Sequence, residues 1–580
     1  MSLSNAMQIG RSALAVSQAG ISVTSNNIAN AGTAGYARQI ARMEPIQGAG
    51  ADAAGAAGRG VRISQVRRQV DQAIEHRLRG AISDEASANQ NSLLMGQIES
   101  VLGTIGDGDL SNQLSQFFNT WSERANGTRT SASVVQQGQQ LSNYLSRLRS
   151  DLRSQTSQID GQLSASVSRA NTILGQIADL NTAIAGNEQG GNEASALRDQ
   201  RDIALTELSS LMRVSTVEHE NGAIDVLVGS TPVILGGRSR GLELSFTSGD
   251  DGSSEARIVT RNSAERIDML GGSIGALVEQ RVNGLGDTLA SLDRIASQLA
   301  FNVNRYHSTG TNAQGLTGTS SQVAFATADR ALALNSASNQ TMAALPYVPQ
   351  DGSFKVQMKN TATGETRTVQ IRVDLDGLTD AGLPGTDDDT TAQDIVFALN
   401  AVPGLNAGFS SEGKLTITSD SGYAFAFQDD SSNVLAALQV NSYFTGTTAS
   451  SLSVRSDLVT SPSSLVAGRW DASGNLVENG TALAIARLRD EPNSALGGAS
   501  IVSSWSDTAQ RVGDRAATAR IDAEASTTVR ANLEGQRANV SGVSTDEESL
   551  NLMQYQRQYQ GAARLISVCD ELMQTLMQLV

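Results

Sequence analysis

The sequence predicts a mainly helical α+β chain of several domains, on three observations. Both extremities carry apolar seams at helical spacing, two long stripes between them repeat every three or four residues, and two intervening regions switch to strand-like alternation. At 580 residues the chain exceeds one core, and roughly 100–200 residues per domain suggests about three or four domains. A hydrophobic content of 39% suffices for globular folding, while aromatics at 4% and only 8 prolines favour aliphatic helix packing over stacked sheets.

The first helix is read from Met7, Leu14, Ile21 and Ile28, seven residues apart, with small Ala6, Ala13 and Gly20 just before three of them. Such a seam needs a partner helix. Leu552, Tyr555, Tyr559, Ala562, Ile566, Cys569, Met573, Leu576 and Val580 supply one in alternating three- and four-residue steps, and Leu565, Leu572 and Leu579 broaden its face. A single amphipathic helix is usually a core helix of its nearest domain. Here the seams stand at opposite extremities, the second where an unattached helix would fray.

Residues 1 to 42 carry Arg11, Arg38 and Arg42 with no acid, whereas residues 541 to 580 carry five acids against two arginines. Screening over about 8 Å at physiological salt makes this match a guide to pairing, so apolar burial must carry the stability. At about 1.5–3 kcal/mol per fully buried large aliphatic side chain, the C-terminal seam contributes on the order of 10–20 kcal/mol in an assembly. Ordering entropy of about 1–2 kcal/mol per residue dominates for an isolated end. The ends are therefore expected to be disordered in the free subunit and to fold on assembly.

Between them, Leu141, Leu145, Leu148, Leu152, Ile159, Leu163, Ala170, Leu174, Ile177 and Ile184 predict one long helix with a phase adjustment near Thr156. Val278, Val282, Leu285, Leu289, Leu292, Ala296, Leu299, Val303 and Tyr306 predict another, its heptad held throughout despite Gly284 and Gly286. With segments near 68 to 102 and 110 to 145, these imply a bundle of long helices. Around 213 to 260, runs such as Ala223 to Val228 and Thr231 to Leu235, punctuated by Asn221-Gly222 and Gly236-Gly237, predict inserted hairpins.

A larger β-containing module begins near 346. Phe354, Val356 and Met358 alternate with Lys355, Gln357 and Lys359; Val369, Ile371 and Val373 alternate after a Thr363-Gly364 turn. Thr390 to Asn400 reads as a short helix and Leu415 to Thr418 as another strand. The expected organisation is a terminal paired-helix domain (1–45 and 541–580), a long-helix body (46–345 and 490–540, with hairpins at about 213–260) and a β-rich outer domain (346–489).

After the first helix comes Ser25-Asn26-Asn27-Ile28-Ala29-Asn30-Ala31-Gly32-Thr33-Ala34-Gly35-Tyr36-Ala37-Arg38-Gln39, which resembles the signature of bacterial flagellar rod, hook and junction proteins. Asn30, Gly32 and Gly35 can stop a helix and accept unusual backbone angles, letting Tyr36 and Arg38 lead into an extended segment. Many relatives have proline where Ala34 stands, so this loop is expected to be less rigid. Ser541-Gly542-Val543-Ser544-Thr545-Asp546-Glu547-Glu548, followed by Leu552, Gln554-Tyr555-Gln556 and Tyr559-Gln560, is similar to the C-terminal signature of the flagellar hook-associated protein 1 family. Thr545 as a hydroxyl cap and the three acids also suit a helix N-terminus.

Leu114 to Trp121 with Phe117-Phe118, Leu197 to Asp202, and Asn302 to Gly315 with Asn304, His307 and Gly310 resemble helical-body segments of the same family. One departure is Asn126-Gly127-Thr128, where relatives often have proline. The likeness covers roughly 1 to 320 and 500 to 580. It implies a non-enzymatic, extracellular part of the hook–filament junction, exported through the flagellar type III apparatus without a cleaved signal peptide. The implied partners are itself in a ring-like homo-oligomer, the hook protein, the next hook-associated junction protein and an export chaperone guarding the last helix. Another axial protein, of the hook or rod, and a secreted coiled-coil adhesin or axial protein with an enzyme domain are the alternatives. Size and the helical body favour the junction.

No chemistry competes with this reading. The formal charge of −16 repels nucleic-acid phosphates and anionic lipid surfaces, and no stretch approaches the ~20 apolar residues of a membrane span. Cys569 is alone and cannot form an internal disulfide. His76, His219 and His307 lie far apart without metal-ligand spacing. Asp374, Asp376, Asp380 and Asp387 to Asp389 lack the glycine and glutamate of a helix-loop-helix calcium site and read as a solvated turn. Gly55, Gly58 and Gly60 lack a phosphate-loop lysine and read as a hinge, and Gly272-Ser273-Ile274-Gly275 lacks the spacing of a serine-nucleophile turn. No catalytic, cofactor or metal residue is expected.

Overall fold

The computed structural model of the chain describes residues 3–46, 58–103, 109–190, 193–248, 254–261, 263–268, 271–379 and 381–578. The fold is mainly helical, with several small antiparallel sheets. Contacts group it into two compact units of non-consecutive segments: Met1–Met95, Gln158–Val282 and Ala516–Val580 form the first, and Gly96–Ser157 and Asn283–Arg515 the second. Among the described residues no helix is long and apolar enough to cross a membrane.

In the first unit, the helices Leu3–Ala29 and Thr545–Gln578 pack on each other, and the hairpin Gln39–Pro45 with Val61–Arg68 adjoins the former. The strands Val214–Glu218, Ile224–Val228, Thr231–Leu235 and Arg238–Ser239 form one antiparallel sheet in that order. Its turns fall where the sequence supplies left-handed glycines: Gly222 at φ +77°, Gly229 at +58° and Gly236 at +57°. Alternation then puts Ile224, Val226 and Val228 inside. Ile159, Leu163, Ala170, Leu174, Ile177 and Ile184, all from the helix Ser131–Asn187, are buried as their spacing predicts.

The second unit holds the start of that helix, with Leu141, Leu145, Leu148 and Leu152 buried, and the helices Leu110–Ala125 and Asp287–Ser308. The heptad expected from Val278 to Tyr306 is not continuous. A π-helical stretch, Gln280–Gly286, adds a residue to the turn, so Val278, Val282 and Leu289 are only half-buried while Leu277, Leu285, Leu292, Leu299 and Val303 are buried.

The β-rich part of this unit contains two three-stranded sheets. Thr366–Val373, Gly352–Asn360 and Tyr423–Gln428 form one; Leu405–Phe409, Lys414–Ser419 and Gly318–Ala324 form the other. Phe354, Val356, Met358, Ile371, Val373, Phe425 and Phe427 share a core with Ile395 and Leu399 of the helix Ala392–Asn400, which opens on a capping box of Thr391 and Asp394. Gln357 breaks the expected alternation because its amide is fully used inside, donating to the Asp471 and Ala472 carbonyls at 3.1 and 3.2 Å and accepting from Gln428 at 2.7 Å.

The helical motifs near 117 and 304 converge on residues 441–444. The rings of Trp121 and Tyr443 lie 5.3 Å apart and those of Phe117 and Phe444 5.5 Å apart, and the Tyr443 hydroxyl donates to the Val134 carbonyl at 2.7 Å. Asn304 accepts from the Tyr443 and Phe444 amides and donates to the Phe444 carbonyl, copying a strand partner with a side chain. His307 Nδ1 donates to the Asn441 carbonyl at 2.7 Å, which fixes the tautomer.

Burial and the nearby Arg455 push the His307 imidazole down to about 3. A histidine held neutral in the fold stabilises it fully above its unfolded pKa, near 6.5, and progressively less as pH falls toward about 3. Thermal unfolding between neutrality and pH 4 is expected to show the second unit weakening from about pH 6.5 downward, and His307→Gln to flatten that slope. An unchanged slope in the variant would assign the acid sensitivity elsewhere.

Candidate assembly interface

The two terminal helices run antiparallel within one chain, in a register set by three contacts. A Cβ on Gly10 would sit 2.9 Å from Ile566, one on Gly20 would sit 2.7 Å from the Tyr555 ring, and the Asn27 amide donates to Glu548 at 3.0 Å. Gly10, Ser17 and Thr24 are buried and seven residues apart, as are Gly20 and Asn27. Small side chains thus form the contact row and let the backbones approach closely.

Met7, Leu14, Ile21 and Ile28 are half-buried on its flanks. On the last helix Ala562 and Cys569 are buried, Leu552, Tyr555 and Ile566 half-buried, and Tyr559, Met573 and Leu576 exposed; Leu579 and Val580 lie outside the described residues. The two helices that carry the large-residue heptads pack on each other, and the row of small residues at the same period forms the contact itself.

A polar clasp closes the pair where the first helix ends. Glu548 is 2% exposed, and its carboxylate receives Asn27 Nδ2 on one oxygen and Arg38 Nε, at 2.9 Å, on the other. Arg38 also reaches the exposed Glu547 at 3.2 Å. Asn27 is saturated: its Nδ2 also donates to the Gln39 carbonyl at 2.9 Å, while its Oδ1 accepts from the Tyr36 hydroxyl at 2.8 Å and the Gln39 amide at 3.0 Å. The Arg38 amide donates to the Ser541 carbonyl at 3.0 Å, tying the loop to the end of the helix Ile501–Ser541. The cap of the last helix is Ser544, whose hydroxyl accepts from the Glu547 amide at 3.4 Å, instead of the expected Thr545. Asp546 and Glu547 stay exposed in the first turn, favourably placed against the helix dipole.

Asn30 caps the first helix through its side chain, donating to the Asn26 carbonyl at 2.9 Å, and Gly32 is exposed. Gly35 is required twice over. Its φ is +78°, and a Cβ there would lie 2.5 Å from Ile203 of the helix Ser195–Leu211.

That helix carries the motif Leu197 to Asp202, whose charges hold the loop in place. Asp199 accepts from the Ala37 amide and, with Asp202 and Glu193, clamps the buried Arg68 at 2.8, 2.6 and 3.1 Å. Arg198 pairs with Glu188 and Glu218, and the Arg201 guanidinium donates to Asn181 and to the Gly222 carbonyl. Burial lowers Arg201 to about 10. Tyr36 is raised to about 12 by burial, then by the charges of Asp199 and Glu548. Two sequence motifs about 160 residues apart are therefore halves of one structure.

The other flagged groups stay apart. His76 is exposed, exposed His219 pairs with Asp225 at 2.9 Å, and His307 is buried in the second unit. Gly60 at φ +111° faces Ser12, whose hydroxyl accepts from the Val61 amide at 3.2 Å; Gly55 lies outside the described residues.

Comparison with known proteins matches the same segments. Residues 95–321 match the family model of the flagellar hook-associated protein FlgK helical domain, 535–579 that of the flagellar basal body rod FlgEFG protein C-terminal, and 7–36 that of the flagella basal body rod protein. The chain is 24% identical to the flagellar hook-associated protein 1 of Escherichia coli strain K12 over 596 residues, covering 100% of this chain and 99% of that protein. Identity to its Salmonella typhimurium strain LT2 counterpart is also 24%, over 597 residues and 100% of both. The flagellar hook junction protein FlgK from Burkholderia pseudomallei shares the fold at a TM-score of 0.51 and 14% identity, over 80% of this chain and 100% of that one.

Replacing Glu548 by alanine strips Arg38 and Asn27 of a shared buried acceptor and is expected to destabilise the first unit by about 3 kcal/mol in denaturant unfolding, and Glu548→Gln by a comparable amount, because its amide nitrogen would face a donor and the charge that pairs Arg38 is lost. A change below about 0.5 kcal/mol would show the clasp to be incidental. Thr33 to Tyr36 form a turn closed by the Tyr36 amide on the Thr33 carbonyl at 3.2 Å, with left-handed Gly35 third, so Ala34 occupies a position that favours proline. Ala34→Pro is expected to stabilise the chain by about 0.4–1 kcal/mol; a fall in its melting temperature would refute that turn assignment.

Proposed function

From its membership of the flagellar hook-associated protein 1 family, we infer that the chain is a structural component of the bacterial flagellum, at the junction between hook and filament. It is an axial, self-assembling protein with hook-related neighbours. The matches to rod-protein models at both ends fit any axial protein, but the helical-domain match and the full-length relatives favour the junction over hook or rod.

The antiparallel terminal pair is the observation that carries the assembly mechanism. With one face of the last helix on the first, Leu550, Met553, Val568, Leu572, Leu576 and Met577 remain exposed along the same helix. Leu565, Val568, Leu572 and Leu576 lie three and four residues apart and so on one side of the helix, and each such side chain gains about 1.5–3 kcal/mol on full burial. We propose that this face packs on neighbouring subunits in a ring-like homo-oligomer, the ends completing their folding there, with the hook protein and the next hook-associated junction protein on either side. The same stripe suits an export chaperone before assembly. The proposed location is extracellular, reached through type III export, and the proposed role is non-enzymatic, the ionised groups around the clasp being engaged with backbone, with Asn27 and Asn181 or with each other.

Val568→Asp with Leu572→Asp alters only the exposed stripe. The variant is expected to melt like the parent yet fail to incorporate at the hook tip and to support motility, while the labelled parent marks one narrow band at the hook end. Labelling along the whole hook, or normal incorporation of the variant, would overturn this reading.

A further inference from the structure

The acidic segment between the strand Thr366–Val373 and the helix Ala392–Asn400 is largely an exposed turn, but one of its acids, Asp389, is buried. Thr390 is clamped from two sides: its amide donates to the Asp374 carbonyl and its hydroxyl accepts from the Asp374 amide, both at 2.8 Å, while its carbonyl accepts from the Leu334 amide at 3.0 Å. This pins the preceding residue, Asp389, at 2% exposure. The carboxylates of Asp374, Asp376 and Asp389 then each present an oxygen within 4.8 Å of the others. Asp387 and Asp388 stay exposed, and Asp380 lies outside the described residues.

The buried oxygens are short of donors. Asn335 Nδ2 donates to one oxygen of Asp389 at 2.8 Å, but its other oxygen, Oδ1, and Oδ1 of Asp374 are buried with no hydrogen-bond donor among the described residues. A buried acceptor left without a donor is strongly disfavoured, the more so when it is ionised and crowded by like charge. Among the described residues the cation at hand is Arg372, itself largely exposed, on the second oxygen of Asp374 at 2.8 Å. An all-oxygen set with no histidine or thiol suits a hard divalent ion, and a ligand group of mixed exposure suits calcium better than the stricter octahedron of magnesium.

We propose that Asp374, Asp376 and Asp389 form a calcium site that locks the strand Thr366–Val373 to the start of the helix Ala392–Asn400. Three carboxylates, one exposed, place the expected dissociation constant on the order of 0.1–1 mM.

Calorimetric titration of the full chain with calcium chloride, alongside thermal unfolding in calcium and in chelator, tests this. Saturable binding and a higher melting temperature in calcium are expected, both lost in Asp389→Asn. Asp376 is exposed, and its bond from the Leu378 amide at 2.8 Å survives in an asparagine, so Asp376→Asn retains the fold and should bind at least about tenfold more weakly. Asp388→Asn should bind as the parent does. No saturation by about 10 mM calcium, parental binding in Asp376→Asn, equal loss in Asp388→Asn, or tighter binding of magnesium than of calcium would each overturn the proposal.

Discussion

Glu548 is an almost fully buried carboxylate, and such a group persists only when its charge is met on both oxygens. Here Asn27 meets one and Arg38 the other, so the end of the first helix, the loop after it and the start of the last helix share one hydrogen-bonded centre. The remaining geometry follows from satisfying it. Arg38 can turn inward only if the chain reverses after the helix, which needs the left-handed Gly35, and the reversal holds only because Asp199 and Ile203 meet it from the helix Ser195–Leu211. Asp199 is itself buried and is neutralised by Arg68, on the second strand of the hairpin, opposite the Gln39 that the loop feeds. The circuit of charges closes on itself, and loss of one member leaves another uncompensated.

Hydrophobic contact plays a different part in this pair. A row built from Gly10, Ser17, Gly20 and Thr24 leaves room for Ile566 and the Tyr555 ring of the last helix to lie against it, so close approach and the clasp set the register. Specificity and adhesion are thereby placed on opposite faces of the last helix. The inner face meets one helix of the same chain, and the outer face leaves Val568 and Leu572 exposed.

What was legible in the sequence followed from periodicity. Leu141 to Ile184 and Thr231 to Leu235 declared themselves because one buried face imposes one repeat, and Asn221-Gly222 because few residue pairs tolerate a left-handed turn. What escaped had no period. The π-helical stretch at Gln280–Gly286 shifts a phase without changing residue types, and the burial of Gln357 depends on carbonyls more than a hundred residues away. At the interface, Asn27, Tyr36 and Glu548 could be recognised as a pattern, but their bonds to one another, and the role of Leu197 to Asp202 as their foundation, exist only in three dimensions. Asp389 is the sharpest case: in sequence it is one of a run of acids, and backbone bonding by Thr390 alone separates it from exposed Asp388.

The bond between Asn27 and Glu548 spans 521 residues of chain. During synthesis at about 5–20 residues per second, the first helix therefore waits roughly half a minute to two minutes before its partner exists. Throughout that interval the row meant for the last helix faces water or other chains, and a transcript cut short anywhere in the body yields a product whose leading helix never finds its mate. The bond between Asn27 and Glu548 can therefore form only once the last helix has been made.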